Sequence, residues 1–235
     1  MKISILIPTR LRSSKLLPLI ENIHSTVSDP DEIEIIFGIE LHDVATVKLS
    51  KESTNPNIKW HIFDTKKQKI LFSDLYNHLY NHVTSKIILV AGDDVKFHYQ
   101  NWDDLIIETF DKYLDKILVV CPRDGIQNGA IAPHFFVHNN WVNTLGYIVP
   151  PYFRAWYGDQ WVSNVAQAIG RYIYLPDFYL EHFHPIAGKA VPDLTSIERD
   201  KGVGQDHTTW NTTGHLRGSD IEKLQTFITN YSKND

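Results

Sequence analysis

The segment from Lys86 to Val95 restricts the fold of this chain more than any other part of the sequence. It begins with apolar residues from Ile87 to Ala91, the pattern of a strand that is buried on both faces of a parallel sheet. Gly92 ends this run, and two adjacent carboxylates, Asp93 and Asp94, follow it. In open α/β sheets ligands bind beyond the carboxyl ends of the strands. These two acids are therefore predicted to stand at the edge of a binding crevice.

Two adjacent carboxylates at such an edge repel each other. A hard divalent cation with oxygen ligands, Mg²⁺ or Mn²⁺, would relieve that repulsion and could bridge the protein to a diphosphate. Gly and Asp are also frequent in turns, so a plain turn after the strand explains these residues equally well on their own. The choice between a metal site and a turn depends on the rest of the chain.

Strands and helices alternate through the first half of the sequence. Apolar runs predict strands at 2–7, 32–39, 58–63 and 87–91, and helical spacing predicts helices at 15–27, 44–50 and 70–83. Pro8 is expected to end the first strand, and Ser13 and Ser14 are expected to cap the first helix. The alternation predicts an α/β fold with a mostly parallel central sheet and helices on both faces.

The second half of the sequence is less regular. It predicts strands at 117–121 and 172–175, and helices at 102–114, 159–169 and 221–231, the first of them capped by Asn101. Residues 122–153 are predicted to be irregular because they show no clear period. Residues 187–218 are predicted to be a loop, in which 202–207 could form a lid over a bound diphosphate.

Composition limits the class of protein. The 235 residues, 43% of them hydrophobic, predict one domain with a substantial core. The net charge of -5 gives no reason to expect nucleic acid or an anionic membrane as partner, and the basic stretch at 66–69 is more simply a solvated loop. The single cysteine, Cys121, excludes an internal disulfide and fits a cytoplasmic protein. No segment reaches the roughly 20 apolar residues of a membrane span.

Four motifs, taken in order, resemble those of a known family. They are Ile5 to Arg10, Ala91 to Val95, Trp156 to Trp161 and Glu181 to His184. At these spacings the chain resembles the nucleotide-sugar glycosyltransferases of the GT-A fold, most closely those of the family-2 type. The resemblance implies a Rossmann-like GT-A catalytic domain over 1–185, with a nucleotide-binding half to about residue 100 and an acceptor half at 101–185. A C-terminal loop and helix, 186–235, would pack on the same domain.

The resemblance implies a set of donor-binding residues. In the family, the turn after the first strand holds the base and ribose of the donor, which implies this role for Pro8, Thr9 and Arg10. The bottom-up alternative for Arg10 is an ordinary surface residue of a loop. A carboxylate after the second strand often holds the base, and Glu40 or Asp43 could serve here, although the family's paired-Asp pattern is absent.

The resemblance also implies metal ligands, with Mn²⁺ or Mg²⁺ as cofactor. The family motif is Asp-x-Asp after the fourth strand, and here Ala91 stands in place of its first Asp. Asp93 then corresponds to the metal-binding Asp, with Asp94 as an outer or substitute ligand on the donor side. A histidine completes the metal shell in many members, which implies His184. His182 points to the same face of a strand and is the second candidate.

Asp159 resembles the catalytic base of the family. It follows Gly158 at a predicted helix N-terminus, where the macrodipole favours a carboxylate, and it could take a proton from an acceptor hydroxyl. A plain helix cap would favour the same residue type. Trp156 and Tyr157 could pack against a sugar ring, and His134 could line the acceptor pocket, although aromatic residues are also ordinary core residues.

These residues predict metal-assisted transfer of a sugar from a nucleoside-diphosphate sugar, a UDP-sugar being favoured, to a hydroxyl of a glycan or another acceptor, with inversion. A nucleotidyltransferase is one alternative, but residues 8–12 contain no glycine for a phosphate-binding loop. A non-catalytic glycan-binding module would explain the tryptophans but not the ordered acids and histidines. A transferase acting on a hydroxymethylated DNA base is the third, and the acidic balance disfavours DNA as the acceptor.

Overall fold

One mixed sheet runs through the residues that the structure, a computed structural model, describes, namely 1–65 and 71–234. The basic stretch predicted at 66–69 and the start of the helix predicted at 70–83 lie outside the described residues. The strands are β1 (Ile3–Thr9), β2 (Ile33–Glu40), β3 (Ile58–Phe63), β4 (Ile87–Val90), β5 (Val95–Phe97), β6 (Val119–Arg123), β7 (Phe135–His138) and β8 (Tyr172–His182).

Helices lie between these strands and after them. They are α1 (Ser13–Thr26), α2 (Val44–Glu52), α3 (Phe72–Tyr80), α4 (Trp102–Asp111), α5 (Asn139–Leu145), α6 (Gly158–Ala168), α7 (Leu194–Asp200), α8 (Val203–Thr212) and α9 (Gly214–Asn234). In the described part of the chain, no helix combines the length and the apolar character that crossing a bilayer requires.

The strand order is β3-β2-β1-β4-β7-β6-β8-β5. The first four strands are parallel, β6 and β8 are also parallel, and the pairs β4–β7, β6–β7 and β5–β8 are antiparallel. The prediction of an α/β fold with a mostly parallel sheet is therefore confirmed. The parallel half places the ends of β1, β2 and β4 along one edge, where ligands bind in sheets of this type.

Both faces of the sheet are covered, which explains the apolar runs. All seven residues of β1 are buried. Ile5 belongs to one hydrophobic cluster and its neighbour Leu6 to the other, so alternate side chains of the strand enter two separate cores. A glycine brings α3 close to the sheet, because a Cβ atom at Gly38 would lie 3.1 Å from Phe63 and 3.2 Å from Leu79.

Two local predictions are wrong, and a third is confirmed only in position. Pro8 does not end β1, since it pairs with Gly38 and the strand continues to Thr9. The pairing with β4 stops at Leu6, and a proline is tolerated where a strand has one neighbour only. Ser13 and Ser14 do not cap α1, because Arg12 occupies the cap position without a side-chain bond. Asn101 does occupy the cap position of α4, as predicted, but in the left-handed region and without a side-chain capping bond.

The irregular regions predicted at 122–153 and 187–218 contain regular structure. The strand β7 and the helix α5 lie in the first region, and α7, α8 and the start of α9 lie in the second. Hydrophobic periodicity does not predict these C-terminal helices because polar contacts help to stabilise them. Asp193 caps α7, for example, and the buried carboxylate of Asp206 in α8 binds backbone N–H groups of another segment. The helix α9 packs on α5 and α6.

Glu34 is a buried carboxylate on β2 that ties three segments together. It accepts hydrogen bonds from Ser4 Oγ at 2.5 Å and from Thr84 N at 3.0 Å, and it forms an ion pair with Lys59 Nζ at 2.5 Å. Burial acts to raise the pKa of Glu34, but the bonds from Lys59, Ser4 and Thr84 together lower it below its usual value.

Glu34→Gln should lower the free energy of unfolding at pH 7 by about 2 kcal/mol, because a neutral amide then faces Lys59. A folded pKa below the unfolded value of 4.5 means that the carboxylate stabilises the fold above that pH. The contribution is lost as the pH falls through the folded pKa. In urea titrations, the difference in unfolding free energy between wild type and Glu34→Gln should therefore be smaller at pH 3 than at pH 7. Glu108→Gln, at an exposed position of α4, is the matched control. If Glu34→Gln differed from wild type by the same free energy at both pH values, the prediction would be contradicted.

Candidate active site

A cavity of about 800 Å³ opens where β1 and β4 end. This volume lies within the range of about 300–1,000 Å³ that small-molecule and cofactor sites occupy. Its walls come from the end of β1, the turn after β4, the start of α6, the end of β8 and the helix α7. The predicted site residues that line it are Pro8, Thr9, Arg10, Asp93, Asp94, His134, Trp156, Tyr157, Asp159, His182 and His184. Glu40 is outside the described lining.

Asp94, His134 and His182 form a buried cluster in this cavity. Each offers one potential ligand atom, and the three atoms lie within 4.8 Å of one another. The antiparallel pairing of Val95 with His182 explains the placement of Asp94, the residue just before β5. Glycine at position 92 leaves room for this carboxylate, because a Cβ atom there would lie 2.6 Å from Asp94 Oδ1.

Each of the two imidazoles in this cluster has one buried ring nitrogen without a hydrogen-bond partner among the described residues. His134 Nδ1 accepts a hydrogen bond from Gly92 N at 3.3 Å, and His134 Nε2 and His182 Nδ1 are buried without a partner among the described residues. Burial, followed by the nearby His182, lowers the pKa of His134 to about 3. A buried imidazole nitrogen without a partner can bind a metal ion when it presents a lone pair. For His134 Nε2 this requires the tautomer with the proton on Nδ1, in place of the hydrogen bond from Gly92 N.

Asp94 is the ionised member of the cluster. Burial alone would raise the pKa of its carboxyl, but the contact with His182 and the charge of Arg12 hold that pKa well below the usual range. His182 Nε2 lies 3.5 Å from Asp94 Oδ1. The cluster therefore presents one carboxylate and two imidazoles, a donor set of one oxygen and two nitrogens.

Asp93 has a different environment from Asp94. Its Oδ2 accepts a hydrogen bond from Thr9 Oγ1 at 2.6 Å, and its Oδ1 accepts one from Arg12 Nη1 at 2.5 Å. Burial raises the pKa of Asp93, and the charge of Arg12 opposes that rise. Both carboxylate oxygens are thus already bonded within the protein.

His184 lies beside the cluster rather than within it. Its ring centroid is 5.1 Å from that of His182, and its Nδ1 accepts a hydrogen bond from Ile186 N at 3.2 Å. Burial, with the charge of Arg199 next, lowers the pKa of His184 to about 4. It is a neutral imidazole on the cavity wall, next to the cationic side chain of Arg199.

Arg12 links the acids of the cavity to the C-terminal region. Besides its bond to Asp93, its Nη1 lies 3.6 Å from Asp94 Oδ2. On its other side it binds Asp193, with Nε–Oδ2 at 2.6 Å and Nη2–Oδ1 at 3.1 Å. Asp193 also caps α7 by accepting a hydrogen bond from Ser196 N at 2.8 Å. One guanidinium therefore holds Asp93, Asp94 and the start of α7 together.

Arg10 forms a second link between the β1–α1 turn and α7. Its Nε binds Glu40 Oε2 at 2.5 Å, its Nη1 binds Glu198, and its carbonyl oxygen accepts a hydrogen bond from Thr195 Oγ1 at 2.8 Å. Glu40, predicted to contact the donor base, is thus bonded to Arg10. Asp43, the alternative, is buried and caps α2.

Asp159 lies in the first turn of α6, where the backbone packs closely against the neighbouring segment of the cavity wall. Tyr157 precedes the helix with a φ of 72°, in the left-handed region that bulky residues rarely adopt. A Cβ atom at Gly158 would lie 3.0 Å from Val149. Asp159 is partly exposed, and its Oδ1 accepts a hydrogen bond from Gln160 N at 2.8 Å. Burial raises the pKa of Asp159, so its carboxylate is more basic than a free one.

Trp156 presents an unused hydrogen-bond donor to this wall. Its Nε1 is buried and has no partner among the described residues, and Arg199 Cζ lies 5.0 Å from the centre of its ring. The segment is fixed from below by Asp206, whose carboxylate accepts hydrogen bonds from the backbone N–H groups of 154–156 at 2.8–2.9 Å. Asp206 is fully buried, so the expected role of 202–207 as a lid does not apply to this side chain.

Arg12 and Asp193 were not predicted from the sequence. An arginine two residues after Arg10 has no signal of its own, because its partners are 81 and 181 residues away. Asp193 could have been found from the sequence, because an Asp followed three residues later by another polar residue, here Ser196, resembles a capping box at a helix N-terminus. His134 was predicted for the acceptor pocket, and the structure brings it next to Asp94 and His182.

Asp193→Ala should loosen α7, because it removes both the helix cap and the bond to Arg12. We expect backbone amides of 193–203 to exchange with deuterium about tenfold faster, as a cap and one partly exposed ion pair contribute about 1 kcal/mol or slightly more. Hydrogen exchange followed by mass spectrometry measures this. Asp200→Ala, which removes only an exposed contact with Arg199, is the control. Equal exchange in wild type and Asp193→Ala would contradict the role of Arg12 as a link.

Known proteins were compared with this chain by sequence and by structure. No family model and no curated protein sequence matches it. The mannosyltransferase PcManGT from Pyrobaculum calidifontis, in complex with GDP-Man and Mn²⁺, has a TM-score of 0.64 at 12% identity, over 100% of this chain and 76% of that one. The S. aureus TarS 1-349 fragment with UDP-GlcNAc has a TM-score of 0.62 at 14% identity, over 78% and 59%.

A longer TarS structure gives the scale of the similarity. Its TM-score is 0.60 at 12% identity, and the match covers 77% of this chain and 36% of that one. This chain thus spans about a third of the TarS chain. The TM-scores establish a shared fold, whereas identities of 12–14% leave the activity to be argued from the site. The predicted fold is confirmed: the chain has the GT-A-like fold of the nucleotide-sugar glycosyltransferases.

Proposed function

We propose that this protein transfers a sugar from a nucleoside-diphosphate sugar to an acceptor hydroxyl, with Asp159 as the base and a divalent metal ion as cofactor. The observation that carries the proposal is that one cavity at the sheet edge is lined by a carboxylate–dihistidine cluster and by a second, more basic carboxylate. The structural neighbours crystallised with UDP-GlcNAc and with GDP-Man support this donor class. A UDP-sugar remains our first candidate.

The cluster of Asp94, His134 and His182 fits a transition ion better than Mg²⁺. Imidazole nitrogens are good ligands for transition ions, whereas Mg²⁺ is bound almost entirely through oxygen. We therefore place Mn²⁺ ahead of Mg²⁺, in line with the Mn²⁺ of the PcManGT complex. When bound, such an ion would stabilise the negative charge that develops on the leaving diphosphate.

The assignment of Asp93 and His184 as metal ligands, made from the sequence, stays a prediction. The geometry favours Asp94 and His134 in their place. Asp93 already receives bonds from Thr9 and Arg12, so it would hold Arg12 rather than an ion. His184 lies next to Arg199 on the wall, where both could contact the diphosphate.

Asp159 is proposed to accept the proton of the acceptor hydroxyl as its oxygen attacks the anomeric carbon. The raised pKa supports this role, because a general base works best when its pKa approaches the working pH. Attack from the side opposite the diphosphate would invert the anomeric centre. The unpartnered Nε1 of Trp156 could bind a sugar hydroxyl, and the ring of Tyr157 could pack on the sugar face. Pro8, Thr9 and Arg10 would contact the nucleotide.

Asp159→Asn should reduce kcat by about 100-fold or more, the usual contribution of a general base. Donor binding should be nearly unchanged, because the amide keeps the size of the carboxylate. Product formation and calorimetric titration with UDP and Mn²⁺ measure the two quantities. Asp177→Asn, at an exposed position of β8, is the matched control. Near-normal turnover in Asp159→Asn would remove Asp159 from this role.

Slow donor hydrolysis can test the cofactor and the donor together. UDP- and GDP-sugars are incubated with the protein and with Mn²⁺, Mg²⁺ or chelator, and we expect release of nucleoside diphosphate to be fastest with Mn²⁺. His134→Ala should raise the Mn²⁺ concentration for half-maximal rate by about 10-fold or more, since even losing an outer partner of a metal ligand costs about 10–100-fold.

The same assay separates the two possible sets of metal ligands. His184→Ala should change the Mn²⁺ requirement less than His134→Ala does. The opposite order, with a large effect in His184→Ala and Asp93→Asn and none in His134→Ala, would favour the assignment made from the sequence. Absence of hydrolysis with every donor, together with no calorimetric binding of UDP and Mn²⁺, would favour a glycan-binding module and contradict the proposed function.

A further inference from the structure

Three histidines meet on the outer side of the molecule, at the edge strand β3. His61 belongs to β3, His78 to the last turns of α3, and His82 to the turn that follows α3. The ring centroids of His61 and His82 are 3.8 Å apart, and His78 lies 5.3 Å from His82 and 6.2 Å from His61. One potential ligand atom from each ring lies within 4.8 Å of the other two.

The placement follows from the local sequence. Alternation along β3 puts Lys59, His61 and Phe63 on the same face of the strand, and Lys59 Nζ donates a hydrogen bond to the carbonyl oxygen of His82 at 3.1 Å. His78 and His82 are four residues apart, and the bond from His82 N to Leu79 O at 3.0 Å tightens the chain after the helix. The close approach of α3 at Gly38, described above, then brings the three rings together.

The histidine triad has no evident role in the core or in the cavity. His78 is exposed and the other two rings are half-buried, and none of the three is part of the described lining of the cavity. The positive charge of Lys59 is offset by its ion pair with Glu34. Burial and then the neighbouring His82 and His78 lower the pKa of His61 to about 4, which leaves that imidazole neutral at pH 7.

We propose that His61, His78 and His82 form a second metal site, which binds a borderline transition ion such as Zn²⁺ through three imidazole nitrogens. Zinc sites with three protein ligands leave a fourth position for water, and the exposure of His78 provides that open side. Zinc–nitrogen bonds of about 2.0–2.1 Å require ligand nitrogens roughly 3.3 Å apart in a tetrahedron. The three ligand atoms now lie within 4.8 Å of one another, so the rings would have to approach by up to about 1.5 Å to hold the ion.

An ion at this site would link the edge strand to α3. This matters for the cavity because Ser73 and Tyr76, on the same helix, line it. Its all-nitrogen donor set differs from that of the buried cluster, which contains the carboxylate of Asp94. The proposal does not depend on the proposed function, since a three-histidine zinc site outside the cavity would be present in a transferase or in a binding module.

Zinc stoichiometry on the purified full chain tests the proposal. Apo protein is titrated with Zn²⁺ against a chromophoric chelator, and wild type, His78→Ala, His134→Ala and His215→Ala are compared. We expect His78→Ala to lose one zinc equivalent that His134→Ala and His215→Ala keep. His215 is exposed on α9, far along the chain from the triad, and is the matched histidine control. A zinc equivalent that is unchanged in His78→Ala, or lost equally in His215→Ala, would overturn the proposal.

Two further measurements keep the result independent of folding and of the cavity. The melting temperature without metal should be the same for wild type and His78→Ala, and added Zn²⁺ should raise it in His134→Ala but less in the double variant His78→Ala/His134→Ala. X-ray absorption on zinc-loaded His134→Ala should show imidazole scattering from three ligands at about 2.0 Å. A spectrum with at most one imidazole would contradict the site, and His82→Gln offers a second variant should His78→Ala not fold.

Discussion

The structure of the cavity depends on how two buried carboxylates at the end of β4 are compensated. Asp93 and Asp94 are adjacent and both are nearly removed from water, and an unpaired buried charge costs several kcal/mol. The chain meets this with two different partners. Arg12, from the turn after β1, binds Asp93, and His182, from the end of β8, lies against Asp94. The first strand, the fourth strand and the last strand are therefore fixed relative to one another by one electrostatic group.

The same arginine connects this group to the C-terminal helices. Arg12 binds Asp193 on its far side, and the neighbouring Arg10 binds Glu198. The position of α7 over the cavity thus depends in part on Arg12, the same residue that compensates the charge of Asp93 and Asp94. Further along, Asp206 holds the segment that leads to Asp159. The region after residue 186 is therefore a part of the site, although it lies outside the sheet.

The sequence predicted the strands of the parallel half well, but it missed the short strands β5 and β7 and most of the polar contacts. Strands such as β1 and β4 are buried on both faces, and that condition leaves a visible apolar run in the sequence. Once the parallel strands are known, the edge of the sheet at which the cavity lies follows, because ligands bind beyond their carboxyl ends. Helices α7 and α8 depend on capping and on buried acids with distant partners, and no local period records such contacts. The sequence analysis chose Asp93 rather than Asp94 as the main metal ligand because it followed a family motif. The direction in which the Asp94 side chain points depends instead on the turn at Gly92 and on the pairing of β5 with β8.

The two histidine clusters differ in charge, and that difference argues for different ions. The buried cluster contains the ionised carboxylate of Asp94, so a divalent ion there would keep a net charge of about +1 to attract a diphosphate. The triad at β3 supplies imidazoles alone and would leave the ion its full charge, open to water on the side of His78. Mixed oxygen and nitrogen ligands suit Mn²⁺, and three imidazoles suit Zn²⁺ or a similar borderline ion. Zn²⁺ binds most nitrogen and oxygen ligand sets more tightly than Mn²⁺, so Mn²⁺ at the buried cluster and Zn²⁺ at the triad would require metal availability as well as ligand type to set the occupancy.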